Sequence, residues 1–162
     1  MILKNSHFPR QGWKIHVSCT MDNYQKVLNI VFEFCVINNI SFKYIYKEND
    51  IRYCISGESP IEHLGKFITI YPNHKNEFKK IIYSLYNKLI GFEGPYILSD
   101  KRYKNSNIYY RYGIIESSSD YLLTPEGKEI VDERKYFFIP DFEEDPFKGE
   151  NHDVHDTKFI EK

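Results

Sequence analysis

The chain has 162 residues, 41% apolar and 28% charged, with 22 Lys+Arg against 23 Asp+Glu for a formal charge of −1. That is one domain's length, with enough apolar side chains to bury a core without a metal or disulfide staple, and it excludes a disordered or polybasic class. Cys19, Cys35 and Cys54 are odd in number and outside any C-x-x-C spacing, so reduced thiols in a cytoplasmic protein are expected, and no apolar run is long enough to span a membrane.

Residues 13–19 (WKIHVSC) alternate, Trp13, Ile15 and Val17 against Lys14, His16 and Ser18, which is the period of a half-buried strand. Asp22 with Gln25 has the form of a capping box, and Tyr24, Val27, Leu28, Val31 and Cys35 share a helical face that ends at Asn38-Asn39. Residues 41–46 (SFKYIY) return as a strand. The pattern then repeats after a polar stretch, 47–65. A strand is expected at 66–72 (KFITIYP), then Asn73 as N-cap of a helix facing inward through Phe78, Ile81, Ile82, Leu85 and Leu89. Gly91 stops that helix, and 95–98 (PYIL) reads as its returning strand. Two β-α-β units in series predict an α+β fold with a ferredoxin-like β-α-β-β-α-β core, whose helices cover one sheet face and leave the other open. A β-rich C-terminal extension follows: a strand over 107–115 and a hairpin of 121–123 and 128–131 about Thr124-Pro125-Glu126-Gly127. The folded domain is expected over 1–147, with 148–162 an acidic linker or frayed tail.

Lys14 and His16, two apart on a strand, project from one face, with Lys43 on the second strand and Lys66 at the start of the third. One strand lysine is ordinarily an edge residue that keeps a sheet soluble. Three with a histidine suggest a cationic patch for a phosphate or carboxylate, and crowded cations lower a lysine's pKa toward that of a usable base. Arg111, within Tyr109-Tyr110-Arg111-Tyr112, is either a stacked structural residue or a fork for an oxyanion, and Arg102 reads as a solvated loop residue. Arg52 and His63 are minor candidates in the long 47–64 connection. Cys19 falls on the apolar face and reads as a buried thiol, while His152-x-x-His155 in an acidic tail lacks a closed metal geometry. The element order also fits an RNA-recognition module, but its matched aromatic pairs on strands one and three are missing.

Four motifs in order, Gln11-Gly12-Trp13-Lys14-Ile15-His16-Val17-Ser18, Gly65 to Pro72, Gly94 to Asp100 and Tyr109-Tyr110-Arg111-Tyr112-Gly113, resemble the N-terminal lyase domain of class III lanthipeptide synthetases. The resemblance covers roughly 10–147 and extends to the bacterial effector phosphothreonine lyases, whose Lys-x-His motif Lys14 and His16 match. It implies metal-independent and cofactor-independent β-elimination of phosphate from phosphoserine or phosphothreonine in a precursor peptide, giving dehydroalanine or dehydrobutyrine. The implied partners are that phosphorylated peptide and the kinase and cyclase domains of such synthetases, which are expected to lie outside this chain, with no nucleic acid and no membrane expected. Lys43 is then the expected base and His16 the acid, while Lys14 steadies the enolate-like oxygen or orients the substrate. Lys66, Arg111 and Arg102 hold the phosphate. A non-catalytic phosphopeptide or leader-peptide binding module is the alternative that the same cationic face would serve.

Overall fold

A computed structural model describes residues 9–116 and 119–150. Its first seven elements are β1 (Gln11–Val17), α1 (Tyr24–Ile37), β2 (Ser41–Tyr44), α2 (Glu48–Ile55), β3 (Ile68–Tyr71), α3 (Lys75–Lys88) and β4 (Lys101–Arg102). Then come β5 (Ile108–Ile114), β6 (Tyr121–Leu123) and β7 (Glu129–Val131). Five strands form one antiparallel sheet in the order β2-β3-β1-β5-β4, and β6 and β7 pair as a separate hairpin. The fold is α+β, and the four strands β2-β3-β1-β5 follow the ferredoxin-like order: β3 lies between β1 and β2, and β1 lies between β3 and β5.

The alternation read from the sequence sets the two faces. Trp13, Ile15 and Val17 point to the same side as Phe42, Ile68, Ile70, Ile108, Tyr110, Tyr112 and Ile114, and all are buried. Helices α1 and α3 close this layer with Val27, Val31 and Cys35 and with Phe78, Ile81, Ile82 and Leu85. Rings bind the layer together: Trp13 sits 5.7 Å from Phe78 and edge-on to Tyr112, and Phe147 packs against Phe78, Tyr103 and Tyr110. Aromatic side chains supply large buried area and specific ring geometry, so much of the aromatic excess is core.

Several local expectations are corrected. Residues 95–98 are not a strand; the place beside β1 belongs to β5, which pairs with it over seven residues from Gln11↔Ile114 to Val17↔Ile108. The Asp22/Gln25 capping box does not form. Asn23 instead caps α1 without a side-chain bond to the helix, its Oδ1 accepting from Thr20 N while its own N–H donates to Thr20 Oγ1. Helix α3 is capped by His74, whose Nδ1 accepts from Glu77 N, rather than by Asn73. The 47–64 connection contains α2, anchored by buried Ile51 and Cys54, so the second sheet face is partly walled rather than open. The hairpin expected at 121–131 is present, with Gly127 at φ 83 supplying the left-handed turn residue.

The stretch 92–97 pairs with no strand and crosses the end of β1, and 97–100 form a turn closed by Asp100 N donating to the Ile97 carbonyl. Ser18 Oγ donates to the Pro95 carbonyl, and a Cβ on Gly94 would lie 2.3 Å from Ser18 Oγ and 2.5 Å from Cys19 N. Only glycine permits so close a backbone approach. The turn at Lys148 to Glu150 rests on α3, with Glu150 accepting from Tyr83 Oη at 3.1 Å. His152, His155 and the rest of the expected tail from 151 on lie outside the described residues, as do 1–8.

Candidate functional site

Register places Lys43, Thr69, His16, Tyr109 and Arg102 in one row across all five strands, and Lys14 opposite Arg111 in the next row. All project away from the apolar layer. Over the β2-β3-β1 part of this face lies a cavity of about 500 Å³. Its floor is Lys14, His16, Lys43, Thr69 and Tyr71, with Lys66 just before β3. Its far wall is Asp50, Tyr53 and Cys54 of α2, spaced i, i+3, i+4 on one helical face, continued by Glu62 and His63. Arg134, beyond the C-terminal hairpin, completes the lining.

The cations of the floor are short of counter-charge. Burial, aided by Arg111 and Lys66, brings Lys14 down to about 7, and its Nζ donates to the Ile114 carbonyl at 2.8 Å. Burial also brings Lys66 down to about 8, with Arg111 and Arg134 acting in the same direction and Asp100 against. Lys66 Nζ has no hydrogen bond or ion pair among the described residues. A desolvated ammonium without a partner is costly, and an anion entering the cavity relieves that cost. Lys43 stands at the exposed mouth, its Nζ 6.0 Å from the Tyr71 ring centroid.

His16 is held from behind. Its Nδ1 meets Asp100 Oδ2 at 2.5 Å, and Ser99 Oγ donates to the other carboxylate oxygen. Burial opposes charge on Asp100, but the His16 imidazole, Lys66 and Arg111 overcome it and hold the carboxyl at about 2. An ionised Asp100 fixes the Nδ1 hydrogen and leaves Nε2 for whatever occupies the cavity. Burial pushes His16 down to about 4.

The structure therefore brings together Lys14, His16, Lys43, Lys66 and, from the minor candidates, His63. The two arginines lie elsewhere. Arg111 is 2% exposed, its guanidinium directed to Asp132 at 2.7 Å and to the carbonyls of Ser99 and Glu133, so it stands beside Lys14 on β5, opposes the charge of that lysine and does not line the cavity. Arg102 is buried on β4 rather than solvated, its guanidinium stacked over Tyr96 and donating to Asn105, and it lines a separate cavity of about 480 Å³ beyond Tyr109. Arg52 pairs with Glu48 at the surface.

Sequence reasoning missed Asp100, Arg134 and the α2 wall. Asp100 carries no local signal of its own, since nothing in the sequence around it shows that 92–100 folds back onto β1. Arg134 reaches the site because Asp132, two residues earlier, is clamped by Arg111 and by the Ile114 N–H at 3.0 Å. Burial disfavours the thiolate form, pushing Cys19 up to about 12 and Cys54 to about 11. Among the described residues no group of His, Cys, Asp and Glu could hold a metal ion, and no helix is long and apolar enough to cross a membrane.

Comparison with known proteins adds a family. The family model of the RamC N-terminal domain matches residues 1–158. The probable SapB synthase of Streptomyces coelicolor is 33% identical over 142 residues, which are 85% of this chain and 15% of that protein. The chain thus spans a small part of the length of the curated relative it matches.

Proposed function

The chain belongs to the family of RamC N-terminal domains, and from that premise we propose that it acts in lanthipeptide biosynthesis as a phosphoserine/phosphothreonine lyase, eliminating phosphate from a precursor peptide. The observation that carries this reading is the cavity floor: two desolvated lysines, one without any partner, beside a histidine oriented by a buried carboxylate. That set suits a phosphate dianion whose ester oxygen must be protonated as it leaves.

The phosphate settles between Lys14, Lys66 and Arg134. A negative charge at ~4 Å in an effective dielectric of ~20 is worth about 4 kcal/mol, or about three pK units. Bound phosphate therefore keeps Lys14 and Lys66 protonated and lifts His16 from about 4 toward neutrality. Those two lysines become clamps rather than bases. Lys43, in the row of His16 but two strands away, is the lysine left to take the Cα proton. As the Cα–H bond breaks, its electrons form the Cα–Cβ double bond, the Cβ–O bond breaks, and the proton on His16 Nε2 passes to the departing oxygen. Dehydroalanine or dehydrobutyrine and inorganic phosphate remain. Donors aimed at the phosphate stabilise the charge that develops on it, and general acid and base groups typically contribute about 10²–10⁴-fold each.

Mass spectrometry of a phosphoserine peptide incubated with the chain in EDTA tests this. Loss of the mass of phosphoric acid is the expected result, reduced at least about a hundredfold in His16→Asn and in Lys43→Ala. Binding of the phosphopeptide without any elimination would instead support a presenting module, since the same floor serves both.

A further inference from the structure

The cavity has a second chemistry that phosphate does not use. At about 500 Å³ it lies within the roughly 300–1,000 Å³ typical of drug-sized ligands, far more than one phosphoryl group needs. Its cations rise from the strands and from Arg134. Its wall, α2 and the turn after it, presents the carboxylates of Asp50 and Glu62, neither of which has an ion pair or hydrogen bond among the described residues. Tyr53, 51% exposed, lines the same cavity. Asp50 and Tyr53 are one helical turn apart and so face the same space. Carboxylates beside an aromatic face are the chemistry that holds an ammonium or guanidinium, through ion pairing and the ring quadrupole.

We infer that the α2 wall selects a cationic side chain, lysine or arginine, adjacent to the phosphorylated residue, so that the site reads a phosphate and a neighbouring positive charge together. This rests on the phosphopeptide reading above. The two ends of the cavity then match opposite charges on one short peptide, which also sets its direction across the sheet. An acidic neighbour would meet exposed Asp50 and half-buried Glu62 and be disfavoured, because like charges brought together repel.

The test uses three blocked phosphoserine pentapeptides differing in one neighbour, lysine, glutamine or glutamate, with both calorimetric binding and elimination measured at low salt. Expected is the order Lys, then Gln, then Glu, with about tenfold between the ends, narrowing as salt is added. Asp50→Asn with Glu62→Gln should bring the three peptides together, and Glu62→Lys alone should reverse the order. Glu62 is outside any helix or strand, so the single variant keeps the test open if α2 is weakened by the change at Asp50. Elimination absent from every peptide while the binding order holds and collapses in the variant would refute the lyase reading and leave the charge selection standing. A flat order in the wild-type chain, an order the variants do not change, or no binding of any peptide would overturn the selection.

Discussion

Replacing Lys14 by methionine should make the fold more stable at pH 7 while weakening the site. Lys14 drops from 10.5 to about 7, mainly through burial. Between those values the unfolded chain holds a proton that the folded chain has released, so stability rises with pH across this window and the penalty is fully present below pH 7. At pH 7 the shift corresponds to a penalty of about 4 kcal/mol. Methionine keeps a similar apolar stem, so packing is retained. The hydrogen bond from Nζ to the Ile114 carbonyl is lost, offsetting about 1 kcal/mol. An order-of-magnitude net gain of about 2 kcal/mol remains, once the reach of water into an open cavity is discounted. For a domain of this size that raises Tm by about 4–8 °C.

Thermal melts of Lys14→Met and the wild type, followed by circular dichroism at pH 7 and pH 10, read this directly. The gap should be several degrees at pH 7 and should narrow toward pH 10, where the wild-type amine is neutral in the folded chain. A variant that melts at or below the wild type at pH 7, or a gap independent of pH, would show that Lys14 is neither desolvated nor crowded by Arg111 and Lys66. The stability held back by this one side chain is the cost of burying an ammonium on the cavity floor.

Affinity for inorganic phosphate, measured by calorimetry, should fall as pH rises through about 7 to 8, because Lys14 and Lys66 lose their protons there in the free chain. Arg111→Leu should cost about 3–5 kcal/mol in chemical denaturation, since it strands the buried Asp132 carboxylate, whereas Arg111→Leu with Asp132→Asn should recover part of that loss. Gly94→Ala should destabilise by about 1–3 kcal/mol through the clash with Ser18 and Cys19. It should also lower elimination more than phosphate binding, because Asp100 at the end of the same stretch loses its hold on His16.

What the sequence made readable was local and periodic. Alternation assigned Lys14 and His16 to one face and Trp13, Ile15 and Val17 to the other, and both faces are as expected because a two-residue period survives any strand pairing. The apolar stripes of α1 and α3 were readable for the same reason. Misreadings arose where tertiary contact decides. PYIL has the composition of a strand, but the place beside β1 goes to β5, whose seven buried residues offer a longer partner. Arg111 looked equally like an anion fork and a structural residue. The difference is made by Asp132, which sequence places 21 positions away and the hairpin returns to hydrogen-bond distance. Asp100 and the α2 wall were hidden likewise, since each acquires its role only when an unpaired stretch or a short helix folds over the charged face.

The pairing of β1 also bears on how the chain reaches its native state. This central strand finds β3 and then β5, and Gln11 Nε2 donates to Tyr112 Oη across 101 positions of sequence. Loops that long must close before their contacts repay the entropy, so slow folding with a late-forming nucleus is expected compared with helical domains of equal length. Phe147, 1% exposed against Phe78, Tyr103 and Tyr110, enters the aromatic layer last in chain order. During synthesis the apolar face of β1 therefore waits for nearly the whole domain to emerge, so a chain interrupted before Phe147 should present an unfinished aromatic layer to chaperones and proteases.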